Sequence, residues 1–318
     1  MTKFAKIIIS ALVTLGLVIM IWRYLDFEHL TRVLVHLRWP WFAMSVAMLG
    51  FAQWLRACRL HRLLHISGGR WRLFNTICLY GLLSNTLPTG LAEPSLVYLL
   101  KKKHDIPLYS GTAVLLAVRL ADLMIMSVLL LIVSLSARRR LPVEIVLFSG
   151  LFLAVLLAVL GLGRIWLENQ GIFQRIKGPR LMGWLSKHLA ALAQAFESIR
   201  VPGSLGPLVV YSVSVWLVMY LCHLAMIYAL GVRLSGYAVM LLYLLTFPVK
   251  LLPIRGVGDF GTHEAVWFVA SIILGLEAAD SALLGFGTHI IFLMAIVITA
   301  QIPLISSYYS LVARKAER

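Results

Sequence analysis

Leu252-Pro253-Ile254-Arg255-Gly256-Val257-Gly258-Asp259-Phe260-Gly261-Thr262-His263-Glu264 breaks an apolar run in its middle. Leu87-Pro88-Thr89-Gly90-Leu91-Ala92-Glu93 breaks an earlier run in the same way. Both stretches read Leu-Pro and, further on, Gly-x-x-Glu. Helix breakers and a carboxylate at membrane depth are costly unless they line a cavity. A matched pair of Gly/Pro-interrupted segments in two halves of a chain is the sequence mark of a transporter binding site.

Composition supplies the membrane. The 318 residues are 61% hydrophobic and 13% charged, with a mean hydropathy of +0.91. A soluble fold of this size cannot bury that much apolar surface, so the expected class is an all-α polytopic membrane protein. No stretch is polar and long enough to form a separate soluble domain, so residues 1–318 read as one integral membrane domain. The net charge of +16 suits basic cytoplasmic loops and anionic headgroups. Nucleic acid is not an expected partner, because the basic residues flank apolar runs instead of forming one patch.

Six full spans are expected, at about 5–22, 41–64, 109–136, 142–163, 207–230 and 281–312. The first follows Lys3 and Lys6 and lacks a small-residue cleavage site, so it reads as an uncleaved span. Two further segments, 71–100 and 237–276, carry the breaks. Residues 91–100 would make a helix of roughly 15 Å, against a hydrocarbon core of roughly 30 Å. Such short limbs predict re-entrant hairpins that enter and leave on one side, hinged at Pro88 and Gly90 and at Pro253, Gly256, Gly258 and Gly261.

Loop charges orient them. Arg56, Arg59, Arg62, Arg70 and Arg72 precede the first hairpin and Lys101-Lys102-Lys103 follows it, so both its ends read as cytoplasmic. Both termini then come out cytoplasmic, and the second hairpin opens outward beside Glu277 and Asp280. Arg138-Arg139-Arg140 falls outside in this topology, against the rule. Glu93 and Glu264 lie 171 residues apart (93 to 264), and residues 41–136 align with 207–312 as an inverted repeat. Within the basic loop 164–200, Leu181, Trp184, Leu185, Leu189, Leu192, Phe196 and Ile199 recur near helical spacing. An amphipathic helix over about 180–200 is expected, lying on the cytoplasmic leaflet or packing on the bundle.

The candidate site residues are the polar groups at membrane depth. Arg56 and Arg59 share one face near the end of their span; they either snorkel to headgroups or sit deep enough to hold a phosphate or carboxylate. Arg119 and Asp122 interrupt an apolar run at i and i+3, a spacing that allows pairing on one helix face. Glu93 precedes Pro94 and either caps the second limb or serves as a proton site or a partner for an arginine such as Arg119. Lys250, Arg255, Asp259, His263 and Glu264 make the densest polar cluster, next to glycines at a helix start where anions bind readily. Structural capping by Thr262 explains the same cluster.

Several patterns do not carry chemistry here. Gly256-x-Gly258-x-x-Gly261 lacks the βαβ context of a dinucleotide site. His263-Glu264 would need a histidine at 267 for a zinc protease, and that residue is Trp267. His61 and His65 lack an evident third ligand, and Cys58, Cys78 and Cys222 sit singly without metal or disulfide spacing. No cofactor, metal or catalytic residue is expected.

Together these residues resemble the lysylphosphatidylglycerol synthase transmembrane, or flippase-like, family over roughly 40–312. The likeness rests on Arg56 and Arg59, on Asn85…Leu87-Pro88…Glu93, on Arg119-x-x-Asp122 and on Pro253…Gly258…Gly261…Glu264. It implies a multi-pass protein of the bacterial cytoplasmic membrane, acting on lipid. Ala92, Leu96, Val118 and His263 depart from the family pattern and thin its polar roster. The length leaves no room for the aminoacyltransferase domain of fused members, so lipid synthesis is not expected. The first functional expectation is a transporter moving an anionic or isoprenoid-type lipid between leaflets. The alternative is a non-transporting accessory subunit, partnered with envelope biosynthetic enzymes. A membrane enzyme is weakest, since no nucleophile–base pair appears.

Overall fold

A computed structural model describes residues 27–64, 66, 69–86, 92–136, 143–168, 205–250 and 257–316. The described residues form ten α-helices and one short 3₁₀ turn, with no strand among them. In chain order the helices are α1 Phe27–Val35, α2 Trp39–Leu63, α3 Arg70–Thr86, α4 Ala92–His104 and α5 Leu108–Ser136. They continue with α6 Val143–Glu168, α7 Leu205–Ala229, α8 Gly236–Lys250, α9 Thr262–Ile273 and α10 Ala278–Ala316. The 3₁₀ turn Val257–Asp259 leads into α9. The expected first span, the amphipathic helix at 180–200 and Arg138–Arg140 lie outside the described residues.

Four helices contain stretches long and apolar enough to cross a bilayer, at Leu108–Ser136, Val143–Gly161, Leu205–Ala229 and Ala278–Pro303. The chain is therefore an all-helical, multi-pass membrane protein. Helix α2 has 25 residues, enough for a crossing by length, but Arg56, Arg59 and Arg62 lower the hydropathy of its second half. Helices α3, α4, α8 and α9 have 17, 13, 15 and 12 residues. All are short for a crossing, because both broken segments divide into two limbs.

Helices α2 and α7 form the central seam. Small residues let them approach: Ser45 and Ala52 on α2 are fully buried, and so are Ser212 and Cys222 on α7. The Cys222 thiol donates to the Ser45 carbonyl at 3.3 Å. Around this seam, α3 packs on α10 and α8 packs on α5. Likewise α4 packs on α5 and α9 on α10, α2 on α3 and α7 on α8, and α2 on α10 and α7 on α5. Helix α6 packs on α5 and shows only 6% of its apolar window buried, so it stands at the periphery facing lipid.

Helix α1 had no counterpart among the expected elements, because nine residues are too few to register as an apolar run. Its Leu30, Val33 and Leu34 pack on Phe268, Leu283 and Phe286, while Glu28, Arg32 and His36 stay exposed.

The N-terminus of α9 meets α10 backbone to side. A Cβ on Gly285 would lie 3.1 Å from the Glu264 carbonyl oxygen and 3.2 Å from its Cα. Backbone cannot swing aside as a side chain would. Gly285→Ala is therefore expected to cost about 1–3 kcal/mol, read as a lower melting temperature in detergent. A melt equal to wild type would mean that the two helices part freely.

Candidate functional site

A cavity of about 430 Å³ opens between the two broken segments. It is lined by α2, α3, α4 and α5 on one side and by α7, α8, the 3₁₀ turn and α10 on the other. Six expected site residues meet there: Arg56, Arg59, Glu93, Arg119, Asp122 and Asp259. Three are cations and three are carboxylates, and they are not equivalent.

Arg59 is 4% exposed and Asp122 3%. Nη1 of Arg59 donates to Asp122 Oδ1 at 2.6 Å and to Ser212 Oγ at 2.7 Å, and Nη2 reaches Asp122 Oδ2 at 3.3 Å. This forked pair ties α2, α5 and α7 together. The i, i+3 spacing had allowed Arg119 to pair with Asp122. Instead Asp122 takes its cation from α2, across the helix interface.

Arg119 pairs with Glu93 on α4. Its Nη2 also donates to the Tyr80 hydroxyl at 3.0 Å, and that hydroxyl donates to Glu93 Oε1 at 3.2 Å. The triad joins α3, α4 and α5 at the cavity wall. Both charged side chains are 43% accessible, so this pair is open where the Arg59 pair is sealed.

Arg56 lies three residues before Arg59, on the same face of α2. Its Nη1 donates to Gln53 Oε1 at 3.0 Å. Among the described residues it has no carboxylate partner. Gly81 on α3 makes room for that amide, since a Cβ there would fall 2.7 Å from Gln53 Nε2. The cavity wall thus carries one arginine whose charge is answered by a neutral amide, beside two that are carboxylate-paired.

The opposite wall is aromatic. Trp216 and His223 on α7, Tyr243 on α8 and Phe292 on α10 line it. The His223 ring sits 4.6 Å from Tyr243 and 5.8 Å from Phe292. His223 Nδ1–H donates to the Met219 carbonyl at 2.8 Å. Three buried polar atoms on cavity-lining residues have no hydrogen-bond partner: Arg59 Nε, Glu93 Oε2 and the Tyr243 hydroxyl. Orphaned polar atoms around a cavity call for a polar occupant.

Asp259 reaches the cavity from a sharp turn: Gly258, Asp259 and Gly261 have positive φ of 67°, 63° and 83°, which turns the chain into α9. The remaining expected residues fall elsewhere. Glu264 is fully buried beyond that turn. One of its oxygens accepts the Gly261 N–H at 2.7 Å; the other lies 2.6 Å from His289 Nδ1. His263 is also buried, its ring 4.6 Å from that of His289. Neither Glu264 nor His263 lines the cavity. The Lys250 side chain, Arg255, Pro88, Gly90, Pro253 and Gly256 lie outside the described residues. The described residues hold no group of three metal-ligating side chains.

A family profile described as the lysylphosphatidylglycerol synthase TM region matches residues 7–300. The chain belongs to this family. No curated protein and no solved structure matches it. Membership in the lysylphosphatidylglycerol synthase TM family agrees with the spans, and it ties the chain to lipid-related membrane function. Tyr80, Ser212, Trp216, His223, Tyr243 and His289 are not among the expected site residues. His223 and His289 were open to the rule applied to Arg119, since each is a polar ring in the middle of an apolar run. The tyrosines and Trp216 gave no such signal, because aromatics in a span normally serve as core.

Proposed function

We propose that the protein moves a lipid with a phosphate-bearing, anionic headgroup between leaflets, the headgroup passing through the central cavity while its tails stay in the bilayer. Arg56 carries this reading. A guanidinium whose partner among the described residues is a neutral amide, at the wall of a cavity, is set to take a phosphate oxygen. Glu93 and Asp122 hold the other two arginines in place, and the aromatic wall suits the apolar shoulder of a lipid. The cargo chemistry is a phosphate on a hydrophobic anchor, whether phospholipid or isoprenoid.

The architecture proposed with it has six spans and two re-entrant hairpins, 71–100 and 237–276, in an inverted repeat within the cell membrane, with both termini cytoplasmic. The packing supports it: exchanging α2, α3, α4 and α5 for α7, α8, α9 and α10 turns α3–α10 contacts into α8–α5 contacts and α4–α5 into α9–α10. The two hairpin glutamates also find partners on the next long helix at nearly the same spacing, 26 residues from Glu93 to Arg119 and 25 from Glu264 to His289. Rocking of one repeat against the other would alternate access to the cavity.

Two expected outcomes test this. In liposomes with labelled lipids of several headgroups, the protein moves phosphate-headed anionic lipids faster than zwitterionic ones, and Glu93→Gln slows that movement. Movement of no lipid, with Glu93→Gln equal to wild type, contradicts transport and leaves the accessory-subunit reading. Cysteines at Thr89 and Arg255 label more slowly than one in the loop around Arg139, because hairpin tips lie at depth. Equal labelling contradicts the re-entrant arrangement. The native cysteines are all buried and leave the background low.

A further inference from the structure

The two hairpin glutamates differ in the kind of partner they have. Arg119 stays charged at any working pH, so the Glu93 pair is a fixed dipole. In the second half the corresponding partner is an imidazole, which can carry a proton or release it. That pair is sealed, with side chains 0% accessible at Glu264 and 1% at His289.

Sealing matters because an unbalanced charge is costly to bury. Glu264 and His289 are neutral as a pair when they hold one proton between them. Among the described residues, the titratable groups facing the pair are few. His263 on α9 stacks 4.6 Å from His289, and Asp259 belongs to the adjoining turn. Across Trp267, which stacks on both His263 and His223, comes His223 of α7. Helix α8 presents Val239 and Leu242 to Trp267. Helix α10 adds the neutral Thr288, 3.4 Å from His263, and α3 reaches the turn through the Asn85 carbonyl, 3.4 Å from where a Gly258 Cβ would lie.

The pair also holds a piece of the cavity wall. The Glu264 oxygen that faces away from His289 accepts the Gly261 N–H. Phe260 lies with its ring 4.5 Å from His289. Between these anchors runs the left-handed turn whose Asp259 lines the cavity. A left-handed non-glycine residue persists only where its surroundings hold it.

We propose that Glu264–His289 is a proton-binding site whose occupancy fixes or frees the 257–261 turn on the cavity wall. A second proton adds to the Glu264 carboxylate. It converts a neutral pair into a buried cation beside His263 and weakens the acceptor that holds Gly261. The turn then loosens from α9, and Asp259 moves with it. The site stands whether or not lipid is the cargo, because it concerns the turn itself.

The test is amide hydrogen exchange over 257–264 in the full-length protein in nanodiscs, from pH 8 to pH 5, corrected for the intrinsic rate. Wild type is expected to lose protection on acidification, by up to roughly ten-fold per pH unit, the limit for one proton. Glu264→Gln, which can still accept from Gly261 and bond His289, removes the step, and so does His289→Gln. His263→Phe keeps the stacking and retains a step with a displaced midpoint. No step in wild type, or the same step in either Glu264→Gln or His289→Gln, overturns the proposal, as does its loss in His263→Phe alone.

Discussion

Replacing Arg56 by glutamine is expected to slow movement of a phosphate-headed lipid by about 10- to 100-fold, with the fold intact. The size follows from the bonds at stake. Hydrogen bonds from a cation to a phosphate oxygen contribute about 1.5–3 kcal/mol. The intact fold follows from the environment of Arg56. Among the described residues it bonds to the Gln53 amide, so its removal strands no buried carboxylate there. The melting temperature should shift by an amount equivalent to no more than about 1 kcal/mol. Arg56→Lys should recover only part of the rate, because an ammonium cannot reproduce the planar fork. The measurement is initial rate in liposomes beside a melt of the same preparation. An Arg56→Gln protein as fast as wild type would remove the main support for an anionic cargo.

The second large effect falls on stability. Asp122→Ala leaves the Arg59 guanidinium buried at 4% exposure, with Ser212 as its remaining partner. Breaking a buried ion pair from one side costs about 3–5 kcal/mol. The variant should melt far below wild type or fail to accumulate. Removing both charges, as Arg59→Met with Asp122→Leu, should recover most of the loss, because it strands neither. Glu93→Gln should cost much less, since that pair is 43% accessible at each side chain and water screens what remains. Thermal unfolding of the three variants in one detergent checks the order. An Asp122→Ala protein as stable as wild type would mean that the pair does not join α2, α5 and α7 in solution.

The fold class was legible because hydropathy and charge act over whole segments. Apolar runs of spanning length mark α5, α6, α7 and α10, and Pro and Gly mark where the broken segments divide. The site was legible one charge at a time. Arg119, Asp122 and Glu93 stand out because a charge inside an apolar run is costly. Their pairing was less legible. Spacing along α5 reports only that Arg119 and Asp122 are near each other. It says nothing of Arg59 and Glu93, which α2 and α4 bring across the bundle. The part of Glu264 was hidden for a similar reason. It resembles Glu93 in its local pattern, but His289 and the close approach at Gly285 draw it out of the cavity wall and into the core.

A lipid headgroup held in the cavity by Arg56 is tested most directly by photocrosslinking from inside that cavity. A benzophenone amino acid at Phe292, on the aromatic wall, is activated with the protein in vesicles of equal anionic and zwitterionic phospholipid, and the adducts are weighed by mass spectrometry. The expected result is an adduct dominated by the anionic lipid and lost in Arg56→Gln. Adducts in the membrane's own ratio, unchanged by Arg56→Gln, or no lipid adduct at all, would contradict it.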